Sequence, residues 1–269
     1  MNKWKESELV RSLVGFFLLF LLFIGLFIFV VPSTHQSSKI AEKIKSIKNE
    51  KVTYVAIGDS LTQGVGDSSN QGGFVPVLSQ ALESDFDWQV TSRNYGIAGN
   101  TSNQILKRVQ EKKDIQRDLK KAKVMTLTVG GNDVIHVIKD NITNLNVDTF
   151  TKPAQAYQKR LGQIIELARK DNKTLPIYIV GIYNPFYLNF PELTVMQNVI
   201  DSWNTATAGV VSQEKNTYFI PINDLLYKGS GDKQAVESGS TSDAVSNNLL
   251  YTEDHFHPNN VGYQIMADA

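Results

Sequence analysis

From Val52 onward the sequence alternates short apolar runs with amphipathic stretches, and this pattern constrains the fold more than any other feature. Such alternation is typical of an α/β domain with a parallel central sheet. We predict clear strands and helices, and one weaker strand, within a single domain that covers residues 52–269. The strands are 52–57, 124–129, 177–182 and 218–222, with the weaker one at 88–95; the helices are 74–82, 102–109, 154–168 and 195–211.

The N-terminal region carries an apolar run in which every residue from 13 to 31 is apolar or glycine. As a helix, this run is long enough to cross a bilayer. We therefore predict a short head at 1–12, a transmembrane helix at 13–31 and a polar, lysine-rich stalk at 32–51. A cleaved signal peptide is the alternative, but its apolar region is typically shorter and ends at a small-residue cleavage site, whereas Pro32 follows here.

The basic residues that flank this run do not decide its orientation, because they lie on both sides of it. They are Lys3, Lys5 and Arg11 before it and Lys39, Lys43, Lys45, Lys48 and Lys51 after it. A short head followed by a long folded domain resembles a signal anchor. We expect a single-pass protein of the cell membrane whose domain lies outside the cytoplasm.

Overall charge and cysteine content exclude several classes of function. Lys plus Arg and Asp plus Glu balance at 27 each, so no net field favours a nucleic-acid partner. The absence of cysteine excludes disulfides, thiolate nucleophiles and cysteine-bound metals. A small-molecule or lipid ester is the expected kind of partner.

A candidate nucleophile, Ser60, follows the first predicted strand in the run Gly58-Asp59-Ser60. Active sites of parallel sheets gather at the carboxyl ends of the strands. A serine hydroxyl becomes a useful nucleophile only when a base takes its proton, and the base is best oriented by a carboxylate. Near the C-terminus, Asp254 and His257 supply a carboxylate and an imidazole three residues apart.

Two further strand ends could supply donors for the oxyanion of an acyl-transfer reaction. The weaker strand is followed by a glycine-containing turn at 94–101, and the strand at 124–129 is followed by Gly130-Gly131-Asn132. Glycines allow close backbone approach, and an asparagine amide can donate a hydrogen bond. Each of these segments alone is also compatible with an ordinary turn or helix cap.

Taken together, these segments resemble the SGNH, or GDSL, hydrolase family of esterases, lipases and acyltransferases. The resemblance implies a three-layer α/β/α flavodoxin-like fold and an acyl-enzyme mechanism on Ser60, with His257 as base and Asp254 as its partner. It also implies an oxyanion hole made by the Ser60 N–H, the Gly99 N–H and the Asn132 side chain. The expected activity is hydrolysis of carboxylic esters, with no cofactor and no metal.

Several other enzyme classes compete with this interpretation. The nucleophile elbow of α/β-hydrolases requires Gly-x-Ser-x-Gly, and Thr62 occupies the second glycine position here. A dimetal phosphoesterase needs more imidazole ligands than the domain's three histidines provide. A noncatalytic binding module would be expected to lack at least one of the five residues. An O-acyltransferase shares the acyl-enzyme, and the sequence does not separate it from a hydrolase.

Three other features have more than one interpretation. His136 is expected to make packing or polar contacts and not to act as the catalyst. The aromatic and proline-rich segment 183–191 could line an acyl pocket or could simply cover the core. The polar segment 229–248 is predicted to be a long loop, and the chain stops at Ala269, early in an expected closing helix.

Overall fold

One sheet organises the part of the chain that the computed structural model describes, which is residues 50–141, 146–190, 192–230 and 247–269. Its strands are β1 (Glu50–Gly58), β2 (Trp88–Gly96), β3 (Ala122–Thr128), β4 (Ile177–Val180) and β5 (Thr217–Ile220). Their order is β2-β1-β3-β4-β5. β1 pairs with β3, β3 with β4 and β4 with β5, all in parallel.

This strand order is that of flavodoxin-like folds and confirms the predicted fold class. The chain moves from β1 to one side of the sheet for β2 and to the other side for β3. Ligands of such sheets bind outside the carboxyl ends of the strands, at the point where the order reverses. In this protein that point lies at the ends of β1 and β3.

Helices connect the strands and cover both faces of the sheet. The longer ones are α2 (Phe74–Phe86), α3 (Ser102–Glu111), α4 (Lys113–Lys121), α5 (Gly131–Asp140), α6 (Thr151–Ala168), α7 (Thr194–Val211) and α9 (Asn260–Asp268). Short turns of helix are α1 (Ser60–Gln63), a 3₁₀ turn (Val147–Phe150) and α8 (Asn223–Leu226).

Alternate residues of β1 enter two separate hydrophobic cores, because side chains along a strand point to opposite faces. Val55 and Ile57 pack in a core with residues of α3, α6 and α7. Tyr54 and Ala56 pack in a second core with residues of α2 and α9. The sheet is thus buried on both sides, which is the three-layer arrangement that the resemblance implies.

The predicted strands agree with the observed ones to within two residues at each end. The segment predicted as a weaker strand forms β2, a full strand of nine residues at the edge of the sheet. The head at 1–12, the transmembrane helix at 13–31, nearly all of the stalk at 32–51 and most of the loop at 229–248 lie outside the described residues. Within the described residues, no helix has the length and apolar character needed to cross a membrane.

Candidate active site

Ser60 lies on a tight turn at the carboxyl end of β1. Asp59 caps the short helix α1, and its Oδ1 accepts a hydrogen bond from the Leu61 N–H at 3.1 Å. Ser60 is the first residue of that helix and is largely buried. The first N–H groups of a helix have no acceptor within the helix, so the backbone N–H of Ser60 is placed to serve a ligand.

Buried hydroxyl groups connect the turn at 58–62, which we call the nucleophile turn, to β3. The Thr128 hydroxyl donates to Asp59 Oδ1 at 2.7 Å, and Thr128 Oγ1 lies 2.8 Å from Thr62 Oγ1. Asp59 is 4% exposed and Thr62 is fully buried. Burial raises the pKa of Asp59 above its ordinary value, although the hydrogen bond from Thr128 acts in the opposite direction.

The segment between Tyr251 and Pro258 brings an imidazole to this serine. His257 Nε2 lies 2.9 Å from Ser60 Oγ, and His257 Nδ1 lies 2.6 Å from Asp254 Oδ2. Because a carboxylate accepts at Nδ1, that nitrogen carries the proton and Nε2 is free to take the proton of the serine. The structure therefore joins the three predicted residues in one chain of hydrogen bonds.

Asp254 is oriented by local backbone donors. Its Oδ1 accepts from the N–H groups of Phe256 and His257 at 2.9 and 3.0 Å. Partial burial alone would raise the pKa of Asp254, but the hydrogen bonds from His257 and from these N–H groups outweigh it and lower the pKa. Asp254 therefore stays ionised beside the imidazole at neutral pH.

The neighbouring histidine, His255, has a different role in this turn. Its φ is 51°, in the left-handed region, and its N–H donates to the Tyr251 carbonyl at 2.8 Å. It therefore reverses the chain between Asp254 and His257. No hydrogen bond from its ring to Ser60 or Asp254 occurs among the described contacts, in contrast to His257.

The predicted oxyanion donors lie on turns that follow β2 and β3. Asn132 lies in the first turn of α5 and its Nδ2 donates to the Asn100 carbonyl at 3.1 Å. Gly99 lies in the exposed turn after β2 with a φ of 77°, which favours glycine. That turn is attached to the nucleophile turn, since the Ala98 N–H donates to Gln63 Oε1 at 2.6 Å.

An ion pair between the buried Asp133 and the partly exposed Arg160 supports these two turns, and it was not predicted from the sequence. Asp133, which follows Asn132, accepts from both the N–H and the hydroxyl of Ser102 at 2.8 and 2.5 Å. Arg160 of α6 contacts Asp133 at 3.1 Å and Ser102 Oγ at 2.7 Å. Asp133 follows an identified donor directly, which is the one sequence signal that could have indicated it.

Two close contacts hold the segment 251–258, which carries His257 and which we call the base segment, against the rest of the site. The loop at 64–73, which follows α1 and which we call the nucleophile loop, passes close to this segment. A Cβ atom at Gly66 would lie 2.5 Å from the Pro258 carbonyl oxygen, so only glycine lets the loop approach the base segment so closely. On the other side, the buried Tyr183 hydroxyl donates to the Phe256 carbonyl at 2.5 Å. The segment is thus fixed from both sides of His257.

A small cavity of about 40 Å³ opens beside the nucleophile. We call it the inner cavity; Ser60 and Asn132 both line it. Most of its other walls are apolar, among them Ile135, Ile182, Pro185 and Phe256. An acyl group attached to Ser60 would find apolar contacts here.

Two further observations concern metals and the remaining histidine of the domain. Among the described residues, no group of three or more His, Asp and Glu side chains is arranged to hold a metal ion. His136 lies on α5 and is exposed, and its Nδ1 lies 2.8 Å from the Asn132 carbonyl. This is the polar contact that the sequence led us to expect.

Comparison with known proteins agrees with this geometry. Residues 56–265 match the model of the GDSL-like Lipase/Acylhydrolase family. The chain belongs to this family. A similar protein is YpmR of Bacillus subtilis strain 168, which is 31% identical over 237 residues that cover 87% of this chain and 86% of YpmR.

Another relative is the spore germination lipase LipC of Bacillus licheniformis. It is 26% identical over 220 residues, which cover 80% of this chain and 92% of LipC. Among solved structures, the lipase Lip_vut3 from a goat rumen metagenome aligns with a TM-score of 0.65 and 22% identity, over 81% of this chain and 94% of that one. At that identity the structural match supports the fold alone.

Proposed function

We propose that this protein is a serine carboxylic-ester hydrolase that works through an acyl-enzyme on Ser60. The observation that carries the proposal is the continuous chain of hydrogen bonds from Ser60 Oγ through His257 to Asp254. Membership of the GDSL-like lipase/acylhydrolase family supports the reaction class. The assignment to carboxylic esters, and the roles of the individual residues, are parts of the proposal.

In the first half of the reaction, Ser60 Oγ attacks the ester carbonyl while His257 Nε2 takes the serine proton. The tetrahedral intermediate places its negative oxygen near the Ser60 N–H, the Gly99 N–H and the Asn132 amide. His257 then gives the proton to the leaving alcohol. Asp254 keeps the imidazole in the correct tautomer and stabilises its charged form throughout.

In the second half, water takes the position of the alcohol. His257 removes a proton from the water, the resulting hydroxide attacks the acyl carbonyl, and Ser60 leaves with the proton from His257. The same donors stabilise the second oxyanion. The products are a carboxylic acid and an alcohol.

Replacement of the nucleophile tests this proposal. Ser60→Ala in the purified full chain should lower the hydrolysis of p-nitrophenyl butyrate to background while circular dichroism stays unchanged, because no other nucleophile takes its place. A fluorophosphonate probe should add its mass to wild type and not to the variant. Ser212→Ala, at the exposed end of α7, is the matched control and should keep full activity.

Two results would count against the proposal. Substantial ester hydrolysis by folded Ser60→Ala would mean that another group is the nucleophile. Inhibition of wild type by EDTA, reversed by a divalent metal, would favour metal-assisted phosphoester chemistry instead. Under the proposal, EDTA leaves the rate unchanged.

We also propose that residues 13–31 anchor the enzyme in the cell membrane, with the domain outside the cytoplasm. The support is the uninterrupted apolar run in the sequence. The protein should stay with membranes after a high-salt wash, because apolar burial and not charge holds it. Protease added to cells without a wall should digest the domain; protection of the domain would reverse the orientation.

A further inference from the structure

A second apolar cavity, which we call the outer trough, is built by the middle of α5 and the connection from β4 to α7. It has a volume of about 420 Å³, roughly ten times that of the inner cavity. Its lining residues are all apolar: Ile138, Phe186, Phe190, Leu193, Val195 and Met196. Apolar side chains grouped on a surface in this way usually mark a binding site.

The side chains of the outer trough are unusually open to solvent. Phe190 and Leu193 are each 50% exposed, Val195 is 38% exposed and Phe186 is 36% exposed. Their exposed apolar surface would be stabilised by an apolar partner. Among the described residues, none that lines the trough is charged, so nothing in this lining favours a charged partner.

The trough continues the inner cavity, because both are built on the same two elements. On α5, Ile135 lines the inner cavity and Ile138, three residues later on the same face, lines the trough. In the β4–α7 connection, Pro185 lines the inner cavity and the next residue, Phe186, lines the trough. A ligand that leaves the inner cavity along these elements enters the trough.

An aromatic contact links the trough directly to the catalytic segment. The Phe186 ring packs against the Phe256 ring with centroids 6.0 Å apart, and Phe256 packs edge-on against His257 at 4.9 Å. Phe256 also lines the inner cavity. The rings of Phe186 and Phe256 therefore form an apolar contact between the trough and the segment that carries His257.

Backbone hydrogen bonds hold the outer wall in a defined shape. The Phe190 N–H donates to the Phe186 carbonyl at 2.9 Å, the Leu193 N–H to Phe190 at 3.0 Å and the Met196 N–H to Leu193 at 3.0 Å. The intervals of three and four residues place these side chains on one side of the segment. Phe186, Phe190, Leu193 and Met196 all line the trough.

We propose that the outer trough binds the distal part of the substrate's acyl chain, so that the preferred substrates are esters of medium- and long-chain fatty acids. This inference rests on the proposed ester hydrolysis at Ser60. The inner cavity accommodates only the first carbons of an acyl group, whereas the trough offers apolar contact to the rest. Each methylene group that moves from water into such apolar contact increases the binding constant by up to roughly fourfold.

The chain-length profile of the full-length protein tests the inference. Initial rates with p-nitrophenyl esters from acetate to laurate, below their micellar concentrations and in one fixed non-ionic detergent, give kcat/KM for each length. In wild type, kcat/KM should rise at least tenfold from acetate to decanoate. A profile that peaks at acetate would overturn the inference.

Leu193→Asp is the most informative variant, because it removes an apolar side chain of the trough at the N-cap of α7, where aspartate is favoured. The variant should keep or raise the melting temperature of wild type. It should hydrolyse acetate and butyrate within twofold of wild type but lose at least tenfold in kcat/KM on decanoate. The matched control is Leu225→Asp, whose leucine is 43% exposed on α8 and outside the trough, and which should keep the wild-type profile.

Phe190→Ser should have the same selective effect, with a loss of about fivefold on decanoate. Its control, Phe86→Ser, removes a phenylalanine that is 54% exposed at the end of α2 and should leave the profile unchanged. An equal loss on all chain lengths in the trough variants would overturn the inference, because it would indicate a general structural role.

Other occupants of the trough give different results. If the trough variants weaken binding to phosphatidylglycerol vesicles while the chain-length profile stays as in wild type, the surface contacts a membrane and the inference is wrong. If they abolish a dimer seen by sedimentation with the same unchanged profile, a second copy covers it and the inference is again wrong. If wild type hydrolyses no ester of any length, the proposed function itself fails and the inference with it.

Discussion

The nucleophile and its base are held in place by different means. Asp59, Thr62 and Thr128, which fix the Ser60 turn, are all at most 4% exposed and link residues far apart in the chain. The side chains of Asp254 and His257 are 34% and 16% exposed, and they are joined mainly by contacts within three residues.

Because of this difference, we expect changes in one region to affect mainly stability and changes in the other to affect mainly catalysis. The nucleophile turn shares its hydrogen bonds with the buried sheet, so changes around it should reduce the free energy of unfolding. The base segment is a surface turn, so changes in it should lower turnover and leave the fold intact. The variants below test the comparison, beginning with the largest effect.

The base segment should show the largest loss of activity with the smallest loss of stability. His257→Gln should lower kcat/KM for p-nitrophenyl butyrate by at least about a thousandfold, because it removes the base. Asp254→Asn should lie between this variant and wild type, since it disturbs the orientation of the imidazole but keeps the base. Steady-state kinetics and thermal melts on each variant measure both effects.

His255→Gln is the control for that pair, because His255 is two residues from His257 and has no ring contact with Ser60 or Asp254 among the described hydrogen bonds. It should keep activity within about threefold of wild type, as expected for a residue outside the catalytic proton relay. If His255→Gln is as damaging as His257→Gln in a folded protein, the assignment of the base is wrong.

The donor on α5 should have the next largest effect. Asn132→Ala should lower kcat by about a hundredfold with little change in KM, because the amide is used mainly in the transition state. His136→Ala, on the exposed face of the same helix, is the control and should behave as wild type. A change in KM alone would make Asn132 a substrate-binding residue.

The buried carboxyl beside the nucleophile should matter most for stability. Asp59→Ala should reduce the free energy of unfolding by about 3 kcal/mol, because it leaves the Thr128 hydroxyl and the Leu61 N–H without their acceptor. Asp254→Ala should cost less than about 1 kcal/mol, since solvent can replace its contacts. Urea unfolding compares the two directly. Equal losses would remove the distinction between the two regions.

Asp67 lies in the loop that follows the nucleophile turn and joins this loop to α9, so its effect should appear in the pH dependence of stability. Its carboxylate accepts hydrogen bonds from Ser69 and Gly73 in the nucleophile loop and from Asn260 of α9. Burial alone would raise the pKa of Asp67, but these loop hydrogen bonds lower it to about 2.

A lowered pKa means that the folded state favours the ionised carboxylate. The stabilisation from Asp67 is therefore complete above about pH 4 and is lost as the pH falls towards 2. The melting temperature of wild type should fall more steeply over this range than that of Asp67→Asn. Parallel curves for the two proteins would mean that ionisation of Asp67 does not stabilise the folded protein.

The fold was largely predictable because its central strands are mostly apolar and buried. β2 gave a weaker signal because it lies at the edge of the sheet, where most of its residues are exposed and need not be apolar. α4 was not predicted, since only Ile115 and Leu119 among its nine residues are apolar and buried. Short or half-exposed elements bury too little apolar surface to leave a clear pattern.

The candidate site was predictable where chemistry demands particular residues at strand ends. Ser60 and Asn132 stand out because they follow predicted strands, and Asp254 and His257 because a carboxylate and an imidazole lie three residues apart. Gly99 was indicated by the resemblance to the GDSL family. The roles of all five residues stay predictions until the variants are measured.

The contacts that support the candidate site could not be predicted from the sequence in the same way. Thr128 meets Asp59 across 69 positions of sequence, and a threonine in a strand has an ordinary explanation as a β-branched residue. Arg160 looks like a surface residue of α6 until the fold places it against Asp133.

The connection from β4 to α7 carries none of the five residues assigned to catalysis. Apart from Tyr183, whose hydroxyl holds the Phe256 carbonyl, it can therefore change composition or shape without altering the reactive atoms. A transplanted segment 186–196 from a relative should transfer that relative's acyl preference to this enzyme. Such an arrangement lets one reactive centre serve many substrates over evolutionary time and gives protein engineers a single exchangeable module.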